Sequence, residues 1–260
     1  LGSGGSAALA IIEAPFNAGS AVNSVTLPGA IATYQTQAIV FNGAGRAFVY
    51  HSTGISVLDP PYSAIAFTIP VSGNTSSGSI AISPDGNTLL VTKLNSAPID
   101  IFTAPFSAAS TPTTLTIPGA AGLDGIMVAP NGVHAIVCDV FATQAFSIAS
   151  PFTSASTVES LPLPAAIASG PGFEDVGISH DSSLAILTGG SSGTGIAALF
   201  VEAPFTAAGA TSYAVDIMGP GRGAGAVRFL PPGLAAGLTI SKSAPATTPP
   251  ASSFTYTITY

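Results

Sequence analysis

The residues able to do chemistry in this chain are few and far apart. Its three histidines, His51, His134 and His180, form neither a His-x-x-x-His nor a Glu-x-x-His pattern. A helix-borne zinc site needs ligands at such spacings, so no transition-metal site is expected. Cys138 is the only cysteine, which excludes an intrachain disulfide; it sits in the apolar run Ala135-Ile136-Val137-Cys138 and reads as a buried, inert thiol. No Gly-x-Ser-x-Gly elbow occurs, and Gly219-Pro220-Gly221-Arg222-Gly223 lacks the strand and helix of a phosphate loop.

The carboxylates are more suggestive. Asp124, Glu174 and Asp175 each stand at the entry to an apolar run. If those runs are the innermost strands of a ring, the three gather near one mouth of its channel, where hard oxygen ligands suit Ca²⁺. The alternative is that they solvate loops or cap turns. Glu13, Asp59 and Glu202 each lie two residues before a Pro-aromatic pair, which marks a repeated structural position. Asn74-Thr75-Ser76 fits the N-glycosylation sequon, with Asn74 as acceptor.

The elements that position these residues follow from an internal repeat. Pro-aromatic pairs recur at Pro15-Phe16, Pro61-Tyr62, Pro105-Phe106, Pro151-Phe152 and Pro204-Phe205, spaced 46, 44, 46 and 53 residues apart. A turn marker runs in step: Ser83-Pro84-Asp85-Gly86 matches Ala129-Pro130-Asn131-Gly132, with weaker copies at residues 41–45, 179–182 and 230–233. Pro presets φ and Gly tolerates positive φ, so each turn marker joins the two apolar runs beside it as a hairpin. In the clearest unit the runs are 125–129 and 134–140; a third, 145–149, ends at the Pro-Phe pair. A fourth follows a Ser/Thr/Ala loop, as at 113–117 before Pro118. Four short strands per ~45 residues is the arithmetic of a propeller blade.

The expected fold is therefore all-β, a β-propeller of four-stranded blades. Residues 7–28 read as strands three and four of a blade whose first two are residues 226–230 and 235–240. With four complete units between, this makes five blades, one closed by strands from both termini, which leaves no open sheet edge at the seam. The domain reading is 1–240 for the propeller and 241–260 for a linker and terminal strand.

Composition narrows the function. Charged residues are 7% of the chain, against roughly 25% in an ordinary soluble domain, yet 47% are hydrophobic, enough for a core. Gly (29) and Pro (22) puncture almost every window, so long helices are not expected. Five cations, Arg46, Lys93, Arg222, Arg228 and Lys242, in a chain of net charge −7, cannot neutralise a run of phosphates. Nucleic acid is not an expected partner. No run of 18 apolar residues occurs, so no membrane span is expected either.

The Ser-Pro-Asp-Gly turn with its following apolar strand, residues 83–91, resembles the blade hairpin of secreted prokaryotic YVTN- and WD40-like propellers. The Tyr-Val-Thr-Asn signature itself is absent, Leu90-Val91-Thr92-Lys93 being the nearest equivalent. Residues 238–260, with Leu-Thr-Ile-Ser-Lys-Ser-Ala-Pro, a linker and Phe-Thr-Tyr-Thr-Ile-Thr, resemble the opening of the DUF11 repeat, an immunoglobulin-like module of prokaryotic surface proteins. Both resemblances imply an extracellular or cell-surface location.

The tail alternates strictly, with Phe254, Tyr256, Ile258 and Tyr260 on one face and three threonines on the other. A lone aromatic strand needs a partner. It continues into a further domain, folds back on its own propeller, or adds to a sheet edge of a neighbouring copy, which propagates a filament. The functional expectation is a non-catalytic extracellular structural or adhesive protein, without cofactor or metal, self-associating through this strand. The alternatives are a ligand- or glycan-binding propeller, which the absence of Trp disfavours, and a propeller hydrolase or lyase.

Overall fold

The computed structural model describes residues 7–31, 37–73, 78–94, 96–142, 144–162, 173–189, 197–216, 227 and 229. The chain divides into two compact units, Leu1–Arg228 and Phe229–Tyr260, and every described strand lies in the first. No helix occurs among the described residues.

A two-stranded sheet comes first, β1 (Ala8–Ile12) and β2 (Val22–Thr26). Four four-stranded antiparallel sheets follow, each with its strands in chain order. They are β3 (Ile39–Phe41), β4 (Ala47–His51), β5 (Gly54–Leu58) and β6 (Phe67–Pro70); then β7 (Ile80–Ile82), β8 (Thr88–Val91), β9 (Pro98–Thr103) and β10 (Thr113–Thr116). The third complete sheet is β11 (Leu123–Val128), β12 (His134–Asp139), β13 (Gln144–Ala149) and β14 (Val158–Ser160). The last is β15 (Phe173–Ile178), β16 (Leu184–Gly189), β17 (Ala197–Glu202) and β18 (Thr211–Asp216).

Among the described residues, both sequence markers fall at one place in each repeat. Gly86 and Gly132, each at φ 73°, close the β7–β8 and β11–β12 turns by donating to Ser83 and Ala129 carbonyls at 2.8 Å. Ser182 takes the same left-handed conformation at φ 59° in the β15–β16 turn. Each marker proline follows a cis peptide bond just beyond the third strand of its sheet. The loop after it repeats its local bonds: the Ser107 and Thr153 amides donate to Ser110 and Ser156 hydroxyls at 2.8 Å, as Asn17 does to Ser20.

The core lies between sheets rather than within them. Period-two alternation sends Leu89 to the cluster shared with Phe48 and Ile55, and Leu90 to the one shared with Ile126 and Phe146. Ile136 and Val137 divide in the same way between the clusters on either side of their sheet. The β3–β6, β7–β10 and β11–β14 sheets are thus apolar on both faces, and the sheets pack on their neighbours in series. That arrangement is a β-propeller of four-stranded blades, with β1 and β2 as the third and fourth strands of a further blade. The two strands assigned to complete it, 226–230 and 235–240, lie outside the described residues apart from Val227 and Phe229, as does the tail with Phe254, Tyr256, Ile258 and Tyr260.

The innermost strands approach backbone to backbone. A Cβ on Gly125 would stand 2.6 Å from the Glu174 carbonyl oxygen and 2.7 Å from the Asp175 Cα. Only glycine allows β11 to lie against β15 there.

Candidate functional site

Antiparallel pairing sets the start of each first strand beside the end of its second: Leu123 faces Asp139, Phe173 faces Gly189, and Ile80 faces Val91. The ends that carry no turn marker thus meet on one side of the propeller. There lie Ser79, Thr92, Lys93, Asp124, Asp139, Asp175 and Thr188, all buried. Buried polar groups hold their place only with partners, so this concentration is a built feature.

The two acidic strands are both irregular where the acids sit. The register of β11 shifts between Leu123 and Ile126, and that of β15 between Phe173 and Asp175. A bulge re-aims the side chains beside it, and these two aim carboxyls across the blade boundary. Ser79 Oγ, from the blade before, reaches Asp124 Oδ1 at 3.5 Å; Asp175 Oδ2 accepts from the Val227 amide at 2.8 Å. The second strands reach across as well. Thr92 donates to the Asp124 main-chain carbonyl, and the Cys138 thiol to that of Asp175 at 3.6 Å.

Asp124, Glu174 and Asp175 are therefore brought together, as their places at the heads of inner strands suggest. Burial, then the charges of Glu174 and Asp175, push the Asp124 carboxyl up to about 8, against one opposing hydrogen bond from Ser79. Glu174 is half-buried and is the member of the three that reaches solvent. Among the described residues, no group of three or more His, Cys, Asp or Glu side chains is arranged to hold a metal ion.

A second buried group faces the acids. The Tyr50 hydroxyl is fully buried and without a hydrogen-bond partner. Burial, with the charges on Asp100 and Asp124, pushes it well above the usual phenol range. Asp100 is itself engaged by Lys93, whose Nζ lies 2.8 Å from Oδ2 and also donates to the Ser72 carbonyl at 3.2 Å. Asp139 is occupied with its own loop, accepting from the amides of Ala121, Gly122, Phe141 and Ala142 at 2.6–3.1 Å.

The histidines stand apart. His51 ends β4, His134 opens β12 on the opposite side, and His180 lies in the β15–β16 turn. His51 Nε2 is 2.8 Å from Ser56 Oγ, which invites comparison with a nucleophile and its base. The tautomer is wrong for that: Nδ1 accepts from the Thr53 amide at 3.3 Å, so the proton is on Nε2 and is donated to the serine. Burial pushes this imidazole down to about 4, which keeps it neutral. Asp59, before its marker proline, pairs with Arg46 through two contacts of 2.6 and 3.2 Å, a structural role as its repeated position implied. Asn74 lies outside the described residues.

Sequence reasoning passes over Tyr50, Ser79, Thr92, Lys93 and Asp100. One signal points toward them: six residues after the left-handed turn residues Gly45, Gly86, Gly132 and Ser182 stand His51, Thr92, Cys138 and Thr188, polar or thiol residues at or near the end of an apolar run.

The sequence matches no known family model and no curated protein. Its fold is similar to several solved structures. One is a functionally unknown protein from Desulfotomaculum acetoxidans, 14% identical, with a TM-score of 0.62 over 84% of this chain and 64% of that one. Another is virginiamycin B lyase from Staphylococcus aureus, 13% identical, with a TM-score of 0.55 over 78% of this chain and 62% of that one. A third is the periplasmic gluconolactonase of Pseudomonas aeruginosa, 15% identical, with a TM-score of 0.56 over 76% and 60%. The chain spans less than two thirds of the length of each.

These likenesses show the β-propeller fold. They also correct the expectation that the chain is not an enzyme, because a lyase and a lactonase are among the propellers it resembles. The physical reason for the error is that the packing of blade on blade gathers titratable groups from positions as distant as 50, 100, 124 and 174. A scarcity of local motifs is therefore no argument against catalysis in this fold.

Proposed function

We propose that the protein is a propeller enzyme of the hydrolase or lyase class, acting on a small polar molecule at the acidic mouth of its channel. Asp124 is the proton donor and Glu174 the carboxylate facing the entering molecule. One observation carries this reading. Asp124, aimed by a bulge and buried beside two further carboxyls, keeps its proton up to about pH 8 while Glu174 stays in contact with solvent. Paired groups held in unlike environments are how one site supplies acid and base together. The names of the similar lyase and gluconolactonase give the reaction classes to try first.

The test is turnover of a panel of lactones and cyclic esters, followed by proton release and by product analysis, for the intact chain and for Asp124→Asn and Glu174→Gln. A general acid contributes about 10²–10⁴-fold, so each variant is expected to lose at least 100-fold in kcat/KM. A titration of the Asp124 carboxyl by NMR that finds an ordinary value near 4, or full activity in Asp124→Asn, overturns the proposal.

A second reading is favoured by the sequence: a secreted surface protein related to YVTN- and WD40-like propellers, ending in a DUF11-like segment and assembling through Phe254, Tyr256, Ile258 and Tyr260. The strict alternation of those four residues and the 7% charge support it. Deleting residues 243–260 is expected to leave a folded protein that no longer assembles. Unchanged assembly after the deletion would sink this reading.

A further inference from the structure

Strand pairing places Tyr50 at a repeated position that has a task in other blades. Ile39 pairs with Val49 and Ile80 with Val91, and the Tyr50 and Thr92 amides donate to the Ala38 and Ser79 carbonyls at 2.7 and 2.9 Å. Tyr50 is therefore to β4 what Thr92 is to β8, and what Cys138 is to β12, where Ile126 pairs with Val137. Thr92 and Cys138 spend their side chains on the blade that follows, each donating to a main-chain carbonyl of its first strand. Tyr50 does not. A phenol carries its oxygen a ring's length beyond the reach of a threonine, and this hydroxyl is fully buried without a hydrogen-bond partner.

Its surroundings aim it at the acidic site. The Tyr50 ring lies in the core with Ile80 and Val91, the chain neighbours of Ser79 and Thr92, and those two residues both bond Asp124. The charges on Asp100 and Asp124 bear on the hydroxyl, and the Asp100 carboxyl is itself held by Lys93 at 2.8 Å. A buried donor left unused destabilises a fold, and phenylalanine would fill the same space without that loss. We propose that the Tyr50 hydroxyl is a further catalytic group of the acidic site, donating a hydrogen bond to the carbonyl oxygen of the bound molecule. The inference rests on Asp124 as proton donor and Glu174 as base, and it narrows the substrate to a carbonyl compound, cyclic esters before others. Water adds to the carbonyl carbon and gives its proton to Glu174. The carbonyl π pair moves onto oxygen, where the Tyr50 O–H stabilises it without giving up its own proton. As that pair returns, the bond to the ester oxygen breaks and the departing oxygen takes the proton of Asp124. A donor that water does not reach acts on the developing charge with little competition.

The experiment compares the full chain with Tyr50→Phe, Asp124→Asn and Glu174→Gln in turnover of lactones and cyclic esters and in thermal melting. Fluorotyrosine at position 50 is read by fluorine NMR while δ-valerolactam, a ring with a carbonyl acceptor, is added. Tyr50→Phe is expected to lose about 100-fold or more in kcat with KM little changed, as removal of one such donor does. It should melt no lower than the intact chain, and the fluorine resonance should shift saturably with the lactam. Full kcat in Tyr50→Phe beside an inactive Asp124→Asn overturns this inference alone. Full activity in Asp124→Asn overturns the acidic site and this inference with it. A lower melting temperature in Tyr50→Phe would mean that the hydroxyl serves the fold, and a resonance unmoved by the lactam would mean that no carbonyl reaches it. Either result also overturns the proposal.

Discussion

The thiol of Cys138 donates to the main-chain carbonyl of Asp175 at 3.6 Å, from the second strand of one blade to the first strand of the next. One blade earlier, the Thr92 hydroxyl does the same to Asp124 while also accepting from the Ser79 amide at 2.8 Å. The same position in the repeat thus fastens neighbouring blades on the side opposite the turn markers and sets the main chain from which the acids project.

Thr92→Val is expected to cost about 1–3 kcal/mol, since it leaves a buried carbonyl and amide without their hydroxyl. Thr92→Ser keeps both bonds and should cost less than about 1 kcal/mol beyond the lost methyl. Cys138→Val removes only a weak donor and should fall below Thr92→Val. Urea denaturation of the three variants checks the order; equal losses for Thr92→Val and Cys138→Val would remove the bridging role.

The Cys138 thiol is held well above its usual range by burial, reinforced by Asp175, Asp124 and Asp139. It should resist thiol reagents at pH 8 in the native protein and react at once in denaturant. Stoichiometric labelling of native protein within minutes would contradict the packing described.

Stability should depend on pH in a stepped way. Asp124 is raised from 3.8 to about 8, so the folded state holds a proton that the unfolded chain has released. Its stabilisation is complete below about pH 4 and is lost as pH rises to about 8, by at most about 1.4 kcal/mol per pH unit. His51 is lowered from 6.5 to about 4, so its contribution is complete above 6.5 and lost as pH falls to about 4. His134 acts in the same direction as His51. The two slopes oppose each other between pH 4 and 6.5, giving a plateau, and only the Asp124 slope remains from 6.5 to 8. Asp124→Asn should flatten that upper limb. Melting temperatures across pH 4–9 provide the measurement, and an upper limb that persists in the variant would refute the assignment.

Lys93 and Asp100 form an ion pair at 2.8 Å with both residues less than 10% exposed. Lys93→Met leaves a buried carboxylate without its cation and should cost about 3–5 kcal/mol. The double variant Lys93→Met, Asp100→Leu should recover much of that loss. Equal denaturation midpoints for the single and double variants would show that the pair is not coupled.

Gly86 holds φ at 73°, and a Cβ there would stand 3.1 Å from the Asn42 Cβ of the neighbouring blade. Gly86→Ala is expected to cost about 1–2 kcal/mol through the left-handed backbone. A melting temperature that does not fall would mean that the turn relaxes.

The fold was legible because its signals are local and repeated. Pro and Gly constrain φ at the residue that carries them, so Pro84, Gly86 and Gly132 announced hairpins without knowledge of their surroundings. Apolar runs beside the turns announced the strands, and consecutive apolar residues such as Leu89 and Leu90 fall on opposite faces of a sheet. The site was legible only in part. Asp124, Glu174 and Asp175 stood out because the repeat put each at the head of an inner strand. Tyr50, Ser79, Thr92, Lys93 and Asp100 did not, because nothing local distinguishes a tyrosine or serine that ends up beside a buried carboxyl.

The sequence by itself determined the period, the strand order within each blade and the turns that join the strands, since hydrogen bonding and backbone sterics act over a few residues. Tertiary structure alone decided which carboxyl keeps its proton and which aromatic stays exposed. Asp124 is raised first by its burial and then by carboxyls about fifty residues away whose charges act through space. Phe16 is 80% exposed where Phe205, at the same place in the repeat, is 2% exposed against His134.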